Sequence, residues 1–455
     1  MNFSQIVAEQ RRYFNSGATR PVEHRVQNLR KLLAALETWE SRLLAALDAD
    51  LGKGAFEGWI TEVGMVRSEL REAIRHVKRW SAPKRVQTPI TQFPGRSYVL
   101  REPYGVALIM APWNYPVQLN LIPLVSALAA GCTVVLKPSA YAPATAGVLS
   151  ELLSETFPPA LVKVVTGGRA ENTALLEEKF DFVFFTGSTE VGKTVMAAAA
   201  CHLTPVALEL GGKSPVILTQ KADAALAAKR IAWGKFLNAG QTCVAPDHVW
   251  VPEELKDAFV AELRKNITLF YGEHPLESED LPSIINEKHF RRLLGLLGES
   301  KPAIGGTWDE ETRKLSPTVL VDVDESHPAM GEEIFGPILP VLTYQSLGKL
   351  LSHLRDDCPR PLACYVFSRD ETEARRIMAA LPFGGGCIND TVVHLTNSAL
   401  PFGGNGESGM GRCHGQWGFE TFTHKKAVLQ KGRLEVPLRY PPHGGKGLEI
   451  VKKLM

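Results

Sequence analysis

Two kinds of hydrophobic spacing divide the chain. Over residues 1–80 apolar positions recur every three or four residues, as in VQNLRKLLAALETWESRLLAALDADLG, and Gly52 closes that run. This spacing predicts amphipathic helices. From Tyr104 onward short apolar runs alternate with helical stretches: GVALIM, a helix near 117–130, CTVVLK, a helix near 143–156, LVKVVTG, DFVFFTG, a helix from about Glu190, and PVALELGG. A second series follows Gly212, with SPVILT, a helix over 222–238, HVWVPE, a helix near 253–269, PTVLVDV and PLACYVFS. Strand and helix in alternation predict parallel βαβ units, and uniformly apolar strands suit a sheet covered on both faces. Between the helical start and the first series lies SAPKRVQTPITQFPGRSYVLREP, rich in Pro and Thr with short β-like pieces. The expected fold class is α/β, with two parallel-sheet α/β domains and a small β excursion.

Length and composition narrow the function. A chain of 455 residues accommodates roughly three units at ~150 residues each. A net charge of +2 makes no strong field, which argues against nucleic acid as a partner. The seven cysteines (132, 201, 243, 358, 364, 387 and 413) are scattered and form no C-x-x-C pair. That excludes a disulfide framework and a zinc site, leaves no metal expected, and fits a cytoplasmic, reducing setting. The first twenty residues lack the apolar core of a signal peptide. Leu121 to Leu136 is interrupted by Pro123 and Gly131, short of the ~18 residues of a membrane span. RYPPHGGKGLEIVKKLM is too short and polar to anchor the chain.

Candidate chemistry begins with NAGQTCVAPD, where Cys243 sits among small and polar residues with no second ligand nearby. A packing cysteine prefers an apolar run and a metal ligand prefers a neighbour, so a nucleophile must be considered. ALELGG places Glu209 inside an apolar strand, where a carboxyl is either salt-bridged or a raised-pKa base. APWNYP ends a strand at Asn114, whose amide either forms a local turn or stabilises an oxyanion. In FFTGSTEVGK, Gly187 and Gly192 flank Ser188, Thr189, Glu190 and Val191; this is an ordinary βα turn or a phosphate cradle. Lys137 in LKPSA lies at the same sheet edge, and EEIFGP sets Glu333 and Phe335 in a tight loop.

Together APWNYP, KPS, FTGSTEVGK, ELGGKSP, GQTC, EEIFGP and PFGG, in this order, resemble the aldehyde dehydrogenase superfamily. DLGKGAFEGWITEVG and RYPPH are similar to its class 3 branch. The resemblance implies a Rossmann-like NAD(P)-binding domain (1–80 and 102–211) and a catalytic domain (212–414). It also implies oligomerisation strands (81–101 and 415–440), a tail (441–455) and a homodimer. It makes Cys243 the nucleophile, Asn114 and the Cys243 N–H the oxyanion donors, and Glu209 the base that activates water. Lys137, the 187–192 turn, Glu333 and Phe335 would hold NAD or NADP. Tyr115, Leu119, Trp233, Leu237 and Thr242 would line an apolar funnel for medium-chain aliphatic or aromatic aldehydes, although Trp233 and Leu237 also have core-helix spacing. Two departures stand out: no carboxylate follows Lys137-Pro138, which favours acceptance of NADP, and Cys413 replaces an aromatic, as core filler or as an oxidisable thiol. Rival readings are a CoA-acylating enzyme, a thiol hydrolase using His394 or His414, and a non-catalytic scaffold.

Overall fold

The strands Val106–Met110, Thr133–Lys137 and Phe182–Thr186 are buried at every position and lie side by side in a computed structural model that describes residues 2–434, 440–443, 445 and 447–454. The first sheet runs Gly409–Met410, Val206–Glu209, Phe182–Thr186, Val106–Met110, Thr133–Lys137, Val162–Val164. All its pairings are parallel except the antiparallel edge formed by Gly409–Met410. The apolar strands conceal a period of two. Ala107 and Ile109 face a core built with the helices Val22–Leu51, Gly64–Ser81 and Gln118–Ala130. Val106, Leu108 and Met110 face the opposite core, shared with Val7 and Val195. Each fully buried Leu or Ile contributes about 1.5–3 kcal/mol, so both faces fix the register.

The second sheet is parallel throughout, in the order Thr318–Leu320, Ile338–Tyr344, His248–Pro252, Pro215–Leu218, Ala363–Phe367, Gly385–Ile388. Helices Ala224–Phe236 and Lys256–Tyr271 cover one face, and Leu347–Asp356 with Glu371–Ala380 the other. A third, antiparallel sheet joins Lys84–Val86, Arg96–Pro103 and Thr423–Gln430, the last two paired from Arg96 with Gln430 to Pro103 with Thr423. The β excursion therefore exists and includes C-terminal chain.

Two expected segment limits differ from the structure. Gly415–Thr421, expected among bridging strands, is a helix, because Phe419 and Phe422 must reach the first core. Residues 435–439 of the expected 415–440 segment, and 444, 446 and 455 of the tail, lie outside the described residues. The boundary at 414 does not follow the sheets, since Gly409–Met410 pairs with Val206–Glu209. The helix begun near 190 starts at Thr189 with Ser188 as its cap, two residues beyond the strand.

Candidate active site

The first sheet delivers its chemistry at one edge. In register, Thr186 pairs with Glu209 and Met110 with Lys137, so Asn114, Lys137, Gly187 and Glu209 all sit at or just beyond the carboxyl ends of neighbouring parallel strands. Open α/β sheets bind ligands at this edge.

The loop carrying Cys243 closes against that edge. After the helix Ala224–Phe236, Asn238 and Ala239 adopt left-handed φ values of 53° and 51°. Gly240, at φ 73°, lies so close to the next loop that a Cβ would stand 2.2 Å from the Gly336 carbonyl. Such strain persists only where surrounding contacts enforce it. Asn238 Nδ2 donates to the carbonyls of Asn114 (2.8 Å) and Gln241 (3.1 Å), and its N–H donates to Glu57 Oε1 at 2.9 Å. Gln241 in turn holds Ser283 and Ile285. Asn114, 2% exposed, donates from Nδ2 to the Gln241 carbonyl at 3.0 Å, and its remaining N–H has no acceptor among the described residues. Thr242 Oγ1 and the Tyr115 hydroxyl are 2.6 Å apart.

Glu209 is 4% exposed and neither carboxyl oxygen has a hydrogen-bond partner among the described residues. Burial raises it well above the carboxylate range, opposed only by the charge of Arg412. Among the described residues no cation pairs with it, which counts against the salt-bridged alternative. Glu209 and Cys243 line the same cavity of about 230 Å³, and Tyr115, Leu119, Trp233, Leu237 and Thr242 all face into it. Phe184, Phe402 and Cys413 also line it, so Cys413 is both core residue and cavity lining. Burial pushes the Cys243 thiol up to about 12, with the charges of Glu333 and Glu209 adding to the effect. A free thiol titrates near ~8.5, and desolvation in the loop accounts for most of the rise. Cys132 and Cys364 are buried packing residues, whereas Cys387 is half-buried with its sulfur 3.6 Å from His394 Nδ1.

A second group of residues lies beyond the strand ends. Trp113 meets Phe335 edge-on at 5.4 Å and His289 at 5.0 Å between ring centroids. Phe335 holds a left-handed φ of 49°. Its loop is pinned by Arg292, which donates to the Ile334 carbonyl at 2.6 Å, and by Asp247, which accepts the Ile334 N–H at 2.9 Å. Burial pushes Glu333 up to about 8, with the Asp247 charge adding to it. Lys137 is 3% exposed and donates to the Pro138 and Gly167 carbonyls at 2.8 and 2.7 Å. Thr189, Glu190 and Val191 form the first helical turn, where Ser188 Oγ accepts the Val191 N–H.

These residues fit a dinucleotide. A Cβ on Gly187 would stand 2.5 Å from the Phe185 ring and one on Gly192 2.6 Å from Leu210, so the turn stays bare and its backbone approachable. Among the described residues His289 Nδ1 is buried with no hydrogen-bond partner, its ring against that of Trp113. Sequence reasoning missed His289, Arg292, Glu57, Lys53 and Glu62, which lie outside the strand-end motifs. Among the described residues no group of three or more His, Cys, Asp or Glu is placed to hold a metal ion, and no helix is long and apolar enough to cross a membrane.

Comparison with known proteins agrees with this geometry. The profile of the Aldehyde dehydrogenase family matches residues 1–428. The chain is 46% identical over 437 residues to a 4,4'-diaponeurosporen-aldehyde dehydrogenase of Staphylococcus aureus, covering 95% of each chain. It is 44% identical to mouse aldehyde dehydrogenase family 3 member B1, covering 99% of this chain and 97% of the relative. Its fold is similar to a substrate-bound Staphylococcus aureus AldH, with a TM-score of 0.97, 45% identity and full coverage of both chains. A Mycobacterium tuberculosis aldehyde dehydrogenase solved with NAD+ superposes at a TM-score of 0.85, with 29% identity over 94% of this chain and 90% of that one. The chain belongs to the aldehyde dehydrogenase family and is an NAD(P)-dependent oxidoreductase that oxidises aldehydes.

Proposed function

We propose that the protein converts medium-chain aliphatic or aromatic aldehydes to carboxylic acids, with Cys243 as nucleophile. Cys243 gives up its proton to solvent water, and the thiolate sulfur bonds to the aldehyde carbon while the carbonyl π pair moves to oxygen. The developing oxyanion is stabilised by the second Asn114 N–H and the Cys243 backbone N–H, each such donor contributing about 3 kcal/mol. NAD(P)+, when bound, would accept the hydride that leaves the adduct carbon, and Cys243 would be left carrying the acyl group as a thioester. Glu209, once deprotonated, takes a proton from water as the water attacks the thioester carbon and Cys243 departs as thiolate. The single observation that carries this reading is the unpartnered Glu209 carboxyl on the same apolar wall as Cys243.

Lys137, Gly187, Ser188, Thr189, Glu190, Val191, Gly192, Glu333 and Phe335, together with His289, are the proposed cofactor contacts. Tyr115, Leu119, Trp233, Leu237 and Thr242 are the proposed substrate walls, and the apolar lining disfavours small charged aldehydes. Residues 1–80 and 102–211, joined by the Gly409–Met410 strand, form the cofactor-binding domain, and the six-stranded parallel sheet forms the catalytic one. Two chains pair as a homodimer through the third sheet, whose outer strand Thr423–Gln430 has one edge unpaired among the described residues. The cytoplasm is the proposed location.

The test measures reduced nicotinamide from an aldehyde panel with NAD and with NADP. Cys243→Ala must abolish the signal. A requirement for CoA, with acyl-CoA as product, would refute water as the resolving nucleophile; light scattering of the purified chain checks the dimer.

A further inference from the structure

The N-terminal segment Leu51–Val63 belongs to neither large sheet, yet its side chains converge on the site. Lys53 Nζ donates to Glu62 Oε1 at 2.7 Å, and both side chains are fully buried. Glu62 Oε2 accepts the N–H groups of Val117 (2.8 Å) and Gln118 (3.1 Å). These are backbone donors that the start of the helix Gln118–Ala130 would otherwise leave unsatisfied. Lys53 Nζ also donates to the Asn114 carbonyl at 3.3 Å and stands 4.2 Å from the centre of the Tyr115 ring. Tyr115 reaches on to Thr242, the residue before Cys243. The turn from Asn114 to Gln118 is thus gripped at both ends by one ion pair.

Glu62 lies in a π-helical turn, Trp59–Val63, an irregularity frequent at functional positions. A fully buried ion pair is a poor source of stability, because desolvation offsets most of the attraction, and apolar replacements often fold as well. What such a pair supplies is geometry. Its three ties all land on the segment carrying the oxyanion amide.

We propose that Lys53 and Glu62 are positioning residues for the Asn114 amide, setting its direction relative to Cys243. The inference rests on the oxyanion role given to Asn114 above. The pair acts on the chemical step and leaves cofactor binding untouched, since none of its bonds reaches the 187–192 turn, Lys137 or the Glu333 loop.

The test is a double-mutant cycle on the full-length enzyme. K53M/E62Q removes both charges and keeps the side-chain volumes. It lowers kcat for aldehyde oxidation about ten- to hundredfold, with the cofactor KM unchanged within about twofold. In an Asn114→Ala background the same pair of substitutions costs less than about twofold more, because the group it positions is gone. Folding is checked by the melting midpoint, and if K53M/E62Q does not fold, Lys53→Gln is held to the same criteria. The proposal is overturned if the folded variant keeps its kcat, if its loss multiplies undiminished in the Asn114→Ala background, or if the loss appears in cofactor KM. Full activity of Asn114→Ala alone would instead refute the oxyanion reading on which the inference rests.

Discussion

Glutamate-to-glutamine replacement at 209 separates the chemical role of the carboxyl from its thermodynamic one. Glu209 is buried, its oxygens have no partner among the described residues, and burial raises it well above the range of an exposed carboxyl. Its proton is therefore held more tightly folded than unfolded. Stability falls with rising pH wherever the folded state binds more protons than the unfolded one. The carboxyl's stability is fully present below the unfolded value near 4.5 and lost as pH climbs from there towards the raised folded value. Each pH unit in that window costs about 1.4 kcal/mol relative to a neutral side chain. Glu209→Gln keeps the shape and removes the titration, so the variant gains on the wild type as pH rises. In catalysis it loses the base that activates water, for a drop in turnover of about 10²–10⁴-fold. Acylation still proceeds, so mixing with aldehyde and cofactor gives a burst of reduced nicotinamide of one per site, then near-silence, with acyl-Cys243 visible by mass spectrometry. Melting midpoints across roughly pH 5–8 report the linkage. Parallel midpoints for the two proteins would refute the raised carboxyl, and steady turnover without a burst would refute its role as base.

Other consequences are open to direct measurement. Cofactor-free Cys243, pushed up to about 12, loses activity to iodoacetamide at a rate that climbs about tenfold per pH unit through pH 9 without a plateau; a plateau near neutrality would contradict the burial argument. Ala140→Glu adds a carboxylate at an exposed position beyond Lys137, and NADP kcat/KM falls at least about tenfold while NAD is little changed; equal effects on both would remove this site from 2′-phosphate discrimination. Cys413→Phe adds bulk to the lining of the proposed aldehyde cavity, so kcat/KM falls for the longest and bulkiest aldehydes and holds for short ones. A uniform loss along the chain-length series would show that residue 413 acts on folding alone.

What could be read from sequence follows from where information is local. Strands such as Val106–Met110 announce themselves by apolar runs, and a residue that interrupts one, Glu209, is conspicuous because no packing explains it. Asn114, Lys137 and Gly187 follow strand ends, so parallel topology brings them to one edge without further knowledge. The helix Glu287–Leu297 was missed despite its Asn286 cap, and with it His289, whose meaning depends on Trp113 more than 170 residues earlier. Lys53 and Glu62 look like solvated charges on an N-terminal helical stretch; only the tertiary fold buries them completely. The thiol of Cys243 shows the same limit, since the sequence around it is polar and its raised proton affinity comes first from burial that no local pattern encodes, then from Glu333 and Glu209, distant in the chain. The proposed nucleophile, base and amide donor are thus legible because each violates a local rule. The residues that hold and tune them obey local rules, and their function appears only when distant segments are packed together.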